Sequence, residues 1–401
     1  MLVYRALTCV VVGALALSPP AQTQTAHTHS SVAFAAGVDV SELLQLERSG
    51  ARYSDRGVIK SPFTIFHNEG VNWMRVRLFV NPINTGPLTN DLPYTIALAR
   101  RIKKSGFKLL LDIHYSDGWA DPHQQSMPKA WAGLSHEELV QQVRRYTREA
   151  VSSLVAADAT PDMVEIGNEI SNGMLWEDGR VTPTSTDSAQ WARLSDLLKA
   201  GVEGVKASSD TPKIMIHIDK GGDVEASKLF YDHILAGGVH FDVIGLSDYP
   251  WWQGTLTQLR TNLTSLANAY GKPLIVVETG FPWVPQSISV DGHDYNALQA
   301  VAEVLHFPAT PTGQADYMQS LINTIQATPN HLGAGVFYWA AAWIPNTAWG
   351  PPPWSKDWEQ RALFDSHGNV LPALRVLGAS SHQAYATSST DQKSDETISQ
   401  K

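Results

Sequence analysis

Two glutamates stand out for the company they keep. Glu169 follows Asn168 just after the short run Met163-Val164-Glu165-Ile166-Gly167, and Glu278 closes the apolar run Leu274-Ile275-Val276-Val277. Two carboxyl groups facing each other across a pocket are the minimum equipment for breaking a glycosidic bond. One protonates the leaving oxygen, and the other attacks the sugar or activates water. Asn168 adds an amide able to orient a sugar hydroxyl. Each glutamate also has a plainer reading: Glu169 as a solvated loop carboxylate, Glu278 as a structural carboxylate paired with an arginine. A charge placed after four apolar residues is costly unless paired or functional, which favours a working role for Glu278.

Other residues could serve the same site. Arg75 and Arg77 alternate, so both point to one side of a strand; one of them could hold an acidic neighbour ionised, since an adjacent cation lowers a carboxyl pKa. An outward pair meeting helix carboxylates is the competing reading. Asp112-Ile113-His114 offers two metal-ligand types on one strand end, but only His217 and Asp219 could join them. A catalytic zinc wants three well-placed protein ligands, so His114 reads better as a hydrogen-bonding wall. Aromatic residues crowd the same stretches, among them Trp119, Tyr249, Trp283 and Trp339. The 13 Trp of the chain suit a groove that stacks flat sugar faces as well as they suit a large core.

Positioning these residues calls for a particular architecture. Buried-type strands are expected at Ala35–Val40, Trp73–Phe79, Lys108–His114, Met163–Ile166, Lys213–Ile218, Phe241–Ser247, Leu274–Glu278 and Gly335–Trp339. Helical spacing falls between them at Tyr94–Lys104, His136–Val155, Trp191–Ala207, Ala226–Ala236, Leu256–Tyr270 and Ala315–Ala327, with a closing helix at Leu371–Leu377. Alternating β and α segments make a parallel sheet, and eight strands are the number that closes a barrel. A doubly wound open sheet would carry a glycine-rich turn after its first strand, and the turn after Val40 has no such pattern. The predicted fold class is α/β, a single-domain (β/α)8 TIM barrel, with the candidate residues at the carboxyl ends of its strands.

Composition narrows the partners. The chain has 401 residues, 43% hydrophobic and 17% charged, which describes a globular protein with ample core. A net charge of −9 argues against nucleic acid or an anionic membrane surface as partner. Residues 1–26 read as a signal peptide and leader: Arg5, then the apolar run Ala6–Leu17, too short to span a bilayer, then Ser18-Pro19-Pro20. The one cysteine, Cys9, lies in that leader, leaving 27–379 as a thiol-free barrel domain and 380–401 as a polar tail. The leader makes a secreted, extracellular protein the expectation, and a monomer is the expected state.

The motifs together resemble glycoside hydrolase family 53, the arabinogalactan endo-β-1,4-galactanases. The likeness is carried by Gly37-Val38-Asp39-Val40-Ser41, Arg75-Val76-Arg77-Leu78-Phe79-Val80-Asn81-Pro82 and Asp112-Ile113-His114-Tyr115-Ser116-Asp117-Gly118-Trp119. It continues through Gly167-Asn168-Glu169-Ile170-Ser171-Asn172-Gly173, Asp248-Tyr249-Pro250, Glu278-Thr279-Gly280-Phe281-Pro282-Trp283 and Trp358-Glu359-Gln360-Arg361-Ala362-Leu363-Phe364-Asp365. The order and spacing hold from about residue 36 to 378. Two positions depart from the pattern: Asp248 stands where an aromatic is expected, and Gly280-Phe281 where a small residue and Tyr are.

The resemblance implies a retaining mechanism with Glu169 as acid/base and Glu278 as nucleophile. It implies that Asn168 bonds the 2-hydroxyl at the cleavage point and that Arg77 orients Glu278. His114, Tyr249 and Trp339 shape the same subsite, with Asp39, Trp119 and Trp283 also in the substrate-binding set. The implied substrate is galactan or type I arabinogalactan, and no cofactor is required. Some members bind calcium through an acidic loop after the seventh strand; Asp291-Gly292-His293-Asp294 resembles part of it with fewer acidic ligands, so Asp291 and Asp294 are the candidates for a structural calcium. Asn262-Leu263-Thr264 is a glycosylation sequon. The competing functions are a related barrel acting on mannan or glucan and a non-catalytic polysaccharide-binding barrel.

Overall fold

Ala35–Asp39 (β1), Trp73–Leu78 (β2), Lys108–Ile113 (β3), Met163–Ile166 (β4), Lys213–Ile218 (β5), Val243–Ser247 (β6), Leu274–Glu278 (β7) and Gly333–Tyr338 (β8) close into one parallel barrel. Each strand pairs with its neighbours in sequence, and β8 returns to β1 through pairs such as Gly37 with Phe337. The computed structural model describes residues 33–182, 187–285, 287–290, 293–296, 306–345 and 358–382. The eight strands are those expected from the sequence, because strands covered on both faces read as unbroken apolar runs. Among the described residues no helix is long and apolar enough to cross a membrane.

Helices pack around the barrel, and their ends follow local chemistry. His136–Ala156 starts in a capping box in which Ser135 and Glu138 satisfy each other's backbone donors. Leu256–Tyr270 starts in the same way at Thr255 and Gln258. Leu92–Lys104 and Pro311–Gln326 carry Pro in the first turn, where the missing N–H costs nothing. Between these helices and the strands lies the main core, including Val38, Leu78, Leu98, Leu111, Leu154, Ile166, Leu198 and Leu266.

Inside the barrel, residues alternate by level. The lower layer is apolar: Trp73, Leu110, Met163, Met215, Val243, Ile275 and Phe337 pack together. Gly37 makes room there, since a Cβ on it would stand 2.2 Å from the Phe337 ring. Two residues further along β2 to β5 come Arg75, Asp112, Glu165 and His217, all buried. Another step brings Arg77, His114 and Asp219 toward the mouth. The barrel thus sets a charged layer on an apolar plug.

Several small elements were not expected. Leu43–Arg48 is a short helix, Tyr53–Asp55 and Val58–Lys60 form a hairpin, and Pro62–Asn68 is a helix. Gly173–Met174 and Gly179–Arg180 pair after β4. Ser380–His382, the first residues of the expected tail, form a 3-10 turn with Ser380 buried, and the rest of that stretch lies outside the described residues. The leader at 1–26 lies outside the described residues. Asn262 is fully buried on the inner face of its helix. Its amide nitrogen donates to the Lys220 and Gly221 carbonyls and to Ser227 Oγ, at 2.8, 2.9 and 3.0 Å. The sequon is therefore a structural asparagine, closed to glycosylation in the folded chain.

Candidate active site

The carboxyl ends of the strands surround a cleft of about 1100 Å³, and both glutamates line it with Arg75, Arg77, Asp112, His114, Asn168, Tyr249 and Trp339. Arg75 is the hub at its floor. Its Nη1 donates to Glu278 Oε1 at 2.7 Å and to Asp39 Oδ2 at 3.2 Å. Its Nη2 reaches Asp112 Oδ2 and Glu165 Oε1 at 2.9 Å each and Asn168 Oδ1 at 2.8 Å, while Nε holds Glu165 Oε2 at 3.0 Å. Tyr249 donates its hydroxyl to Glu278 Oε2 at 3.0 Å, so both oxygens of Glu278 are oriented.

This corrects the expectation that Arg77 orients Glu278. Both arginines face the lumen, but Arg77 stands one level nearer the mouth. Its guanidinium pairs with buried Glu42 and lies over the Trp119 ring, 4.3 Å from the centroid. Arg75 sits at the level of the Glu278 carboxyl and takes that contact instead.

Glu169 is presented by an abrupt turn. Gly167 has φ +80°, and Glu169 itself has φ 49° and ψ 49°, a left-handed conformation uncommon for a residue with a Cβ. Strain of that kind persists only where the surroundings hold it. Here Ser247 Oγ donates to Glu169 Oε1 at 2.5 Å. Burial pushes the Glu169 carboxyl well above its usual range, and the nearby charges of Glu278 and Asp219 push the same way. A carboxyl so placed keeps its proton at higher pH than a free one and can deliver it.

The other expected residues fall around this pair. His114 Nδ1 accepts from the Ala120 backbone N–H at 3.1 Å, which leaves its proton on Nε2, 2.9 Å from Asp112 Oδ2. Burial alone would raise Asp112, but Arg75 and His114 outweigh it and hold that carboxyl down at about 2. Asn168 is fixed from both sides, its Oδ1 by Arg75 and its Nδ2 by the Ala120 carbonyl at 2.8 Å. Trp119, Trp339, Trp343 and Trp358 form an aromatic wall, with Trp339 and Trp358 ring centroids 4.1 Å apart. Trp252 also lines the cleft, 47% exposed, its ring packed edge-on against Tyr249. Asp39 lies below the cleft as a support for Arg75. Trp283 is not among the lining residues; its Nε1 donates to the Glu359 carbonyl at 3.2 Å. Asp291 and the side chain of Asp294 lie outside the described residues.

Glu165, Ser247 and Glu42 were missed. Glu165 did leave a signal, being the one charge in the apolar strand Met163–Ile166 and two residues from inward-facing Met163. Ser247 left none that separates it from an ordinary strand-end serine.

A family model described as Glycosyl hydrolase family 53 matches residues 35–377, which spans the barrel from its first strand into its closing helix. The chain belongs to that family. A relative from Niallia circulans, described as "Uncharacterized protein in bgaB 5'region", is 43% identical over 349 residues, covering 86% of this chain and 94% of its own. A protein of Aspergillus terreus described as a probable arabinogalactan endo-beta-1,4-galactanase A is 39% identical over 324 residues, covering 78% of this chain and 87% of its own. The solved Ignisphaera aggregans GH53 catalytic domain aligns with a TM-score of 0.79 at 38% identity, over 86% of this chain and 96% of that one. This family 53 chain is therefore a glycoside hydrolase, and the carboxyl pair lies in a cleft whose walls suit sugar rings.

Proposed function

We propose that this protein is a secreted, retaining endo-β-1,4-galactanase that cuts galactan and type I arabinogalactan, with Glu169 as acid/base and Glu278 as nucleophile. The observation that carries the reading is the contrast between the two carboxyls. Glu278 has both oxygens oriented by Arg75 and Tyr249, whereas Glu169 is closed in and holds its proton. In the first step a Glu278 oxygen bonds to the anomeric carbon while the bond to the leaving oxygen breaks, and Glu169 gives that oxygen its proton. In the second, Glu169 takes a proton from water, the water oxygen bonds to the anomeric carbon, and Glu278 leaves as carboxylate. Asn168 and His114 line the same cleft, where they would meet a sugar hydroxyl. A cleft of about 1100 Å³ has room for more than one ring, as endo action requires.

The galactan substrate is supported by the Aspergillus terreus relative and by the motifs shared with its family. Residues 1–26 would direct export, 27–379 would form the catalytic domain, and the enzyme would act as a monomer without a cofactor, a structural calcium at Asp291 and Asp294 being the one metal in prospect. A panel of linear β-1,4-galactan, β-1,4-mannan and β-1,4-glucan tests the substrate. Oligosaccharides are expected from galactan at far higher rates than from the others. No release from galactan, or faster release from mannan or glucan, would overturn the assignment.

A further inference from the structure

A second hydrogen-bonded path leads away from Glu169 into the barrel, and the two-step reaction makes no use of it. Ser247 Oγ lies 2.5 Å from Glu169 Oε1 and 2.8 Å from His217 Nε2. His217 Nδ1 lies 2.6 Å from Glu165 Oε1, and Arg75 holds both oxygens of Glu165. Ser247, His217 and Glu165 are all fully buried, so no bulk water competes for these contacts.

A serine hydroxyl carries one proton, and a neutral imidazole carries one on its ring nitrogens. The path therefore has two polarities. With Glu169 protonated, Glu169 donates to Ser247, Ser247 to His217 Nε2, and His217 Nδ1–H to the Glu165 carboxylate. With Glu169 ionised, every bond reverses: Glu165 donates to Nδ1, Nε2–H to Ser247, and Ser247 to Glu169. Between the two, the Glu169 O–H, the Ser247 O–H and the His217 Nδ1–H bonds break. A new Ser247 O–H, a His217 Nε2–H and a Glu165 O–H form. One proton has moved from Glu169 to Glu165, and total charge is unchanged.

We propose that Glu165, His217 and Ser247 form a proton relay that sets which of its two forms Glu169 takes, with His217 and Ser247 as positioning residues for the acid/base step. The proposal rests on the reading of Glu169 as the acid/base. Charge counting supports it: the Arg75 guanidinium faces the carboxyls of Asp39, Asp112, Glu165 and Glu278, and one cation among four carboxyls favours leaving a proton on one of them. Burial raises Glu165 to about 8, against the opposing charge of Arg75. Burial likewise lowers His217 to about 4, although Glu278, Asp112 and Asp219 face it and oppose that shift. Glu169 meets Glu278 from β7, Asp219 from beyond β5 and Asp121 from the loop after β3.

Two readouts on Ser247→Ala, His217→Phe and Ser247→Thr test the relay: the ¹³C titration of the Glu169 carboxyl, and the alkaline limb of the kcat/KM–pH profile. Ser247→Ala removes a hydrogen bond that is stronger to the ionised Glu169 than to the protonated form, so the titration and the limb should rise together. The expected rise is about half to one pH unit, the scale of one neutral hydrogen bond. His217→Phe should raise both with the serine still present, and Ser247→Thr should restore both. Unchanged titration with only a lower kcat would overturn the relay, and so would a shift in Ser247→Ala alone with His217→Phe folded and unshifted. Ser247→Ala loses a single oxygen and keeps the test decisive if His217→Phe does not fold. The titration needs no substrate. Failure of the parent enzyme on galactan would therefore sink the substrate reading and leave the relay to be judged separately.

Discussion

At the residue scale, the two glutamates have different neighbours, and the roles proposed for them rest on that difference. Glu169 is pushed up by burial and by the charge of Glu278, so its proton is available where a free carboxyl would have lost it. Removing that proton should hurt only reactions that need it. Glu169→Ala is expected to lower kcat/KM on β-1,4-galactan about 10²–10⁴-fold. On an aryl β-galactoside with an acidic phenol, whose leaving group needs no proton, the loss should be far smaller. Equal losses on both substrates, measured side by side, would deny Glu169 the acid role. Glu169, Glu278, Asn168 and His114 were legible in the sequence because their types suit sugar chemistry at strand ends. The division of labour between Arg75 and Arg77 was not legible. Alternation places both in the lumen, but only the height of each guanidinium decides that Arg75 meets Glu278 and Arg77 meets Glu42 and Trp119.

At the element scale, the site depends on how β4 ends. The strand stops at Ile166, Gly167 turns at φ +80°, and Glu169 follows in the left-handed region. A Cβ on Gly167 would lie 2.7 Å from Ile170 Cγ2, so an added methyl meets both an unfavourable backbone angle and a clash. Gly167→Ala is expected to cost about 1–3 kcal/mol of stability in urea unfolding and to lower activity by displacing Glu169. Parent-like stability and rate in that variant would mean the turn is looser than the geometry indicates. The strands and long helices were readable because periodicity accumulates over many residues. The short helix Leu43–Arg48 and the hairpins carry too few residues for a period to register. Helix Pro62–Asn68 did have a readable start, Ser61 followed by Pro62, the usual order for a first turn.

At the scale of the whole molecule, the barrel is an apolar plug carrying a charged layer, and the titration of that interior should appear in its stability. Burial raises Asp248 to about 7, while in the unfolded chain an aspartate ionises near pH 4. Between these values the folded state binds more protons than the unfolded one, so the stability Asp248 lends at low pH is lost as pH rises to about 7. Asp248→Asn removes this dependence. Urea unfolding at pH 5 and pH 8 should show the parent losing more stability than the variant, and equal losses would mean Asp248 ionises freely in the fold. The central claim concerns what this architecture does to a polysaccharide, and one measurement reaches it most directly. Linear β-1,4-galactan is digested and the anomeric protons of the first oligosaccharides are followed by NMR before mutarotation. Retention through Glu278 and Glu169 should give oligosaccharides whose new reducing ends are first β. First products in the α form, or none at all from galactan, would contradict the account.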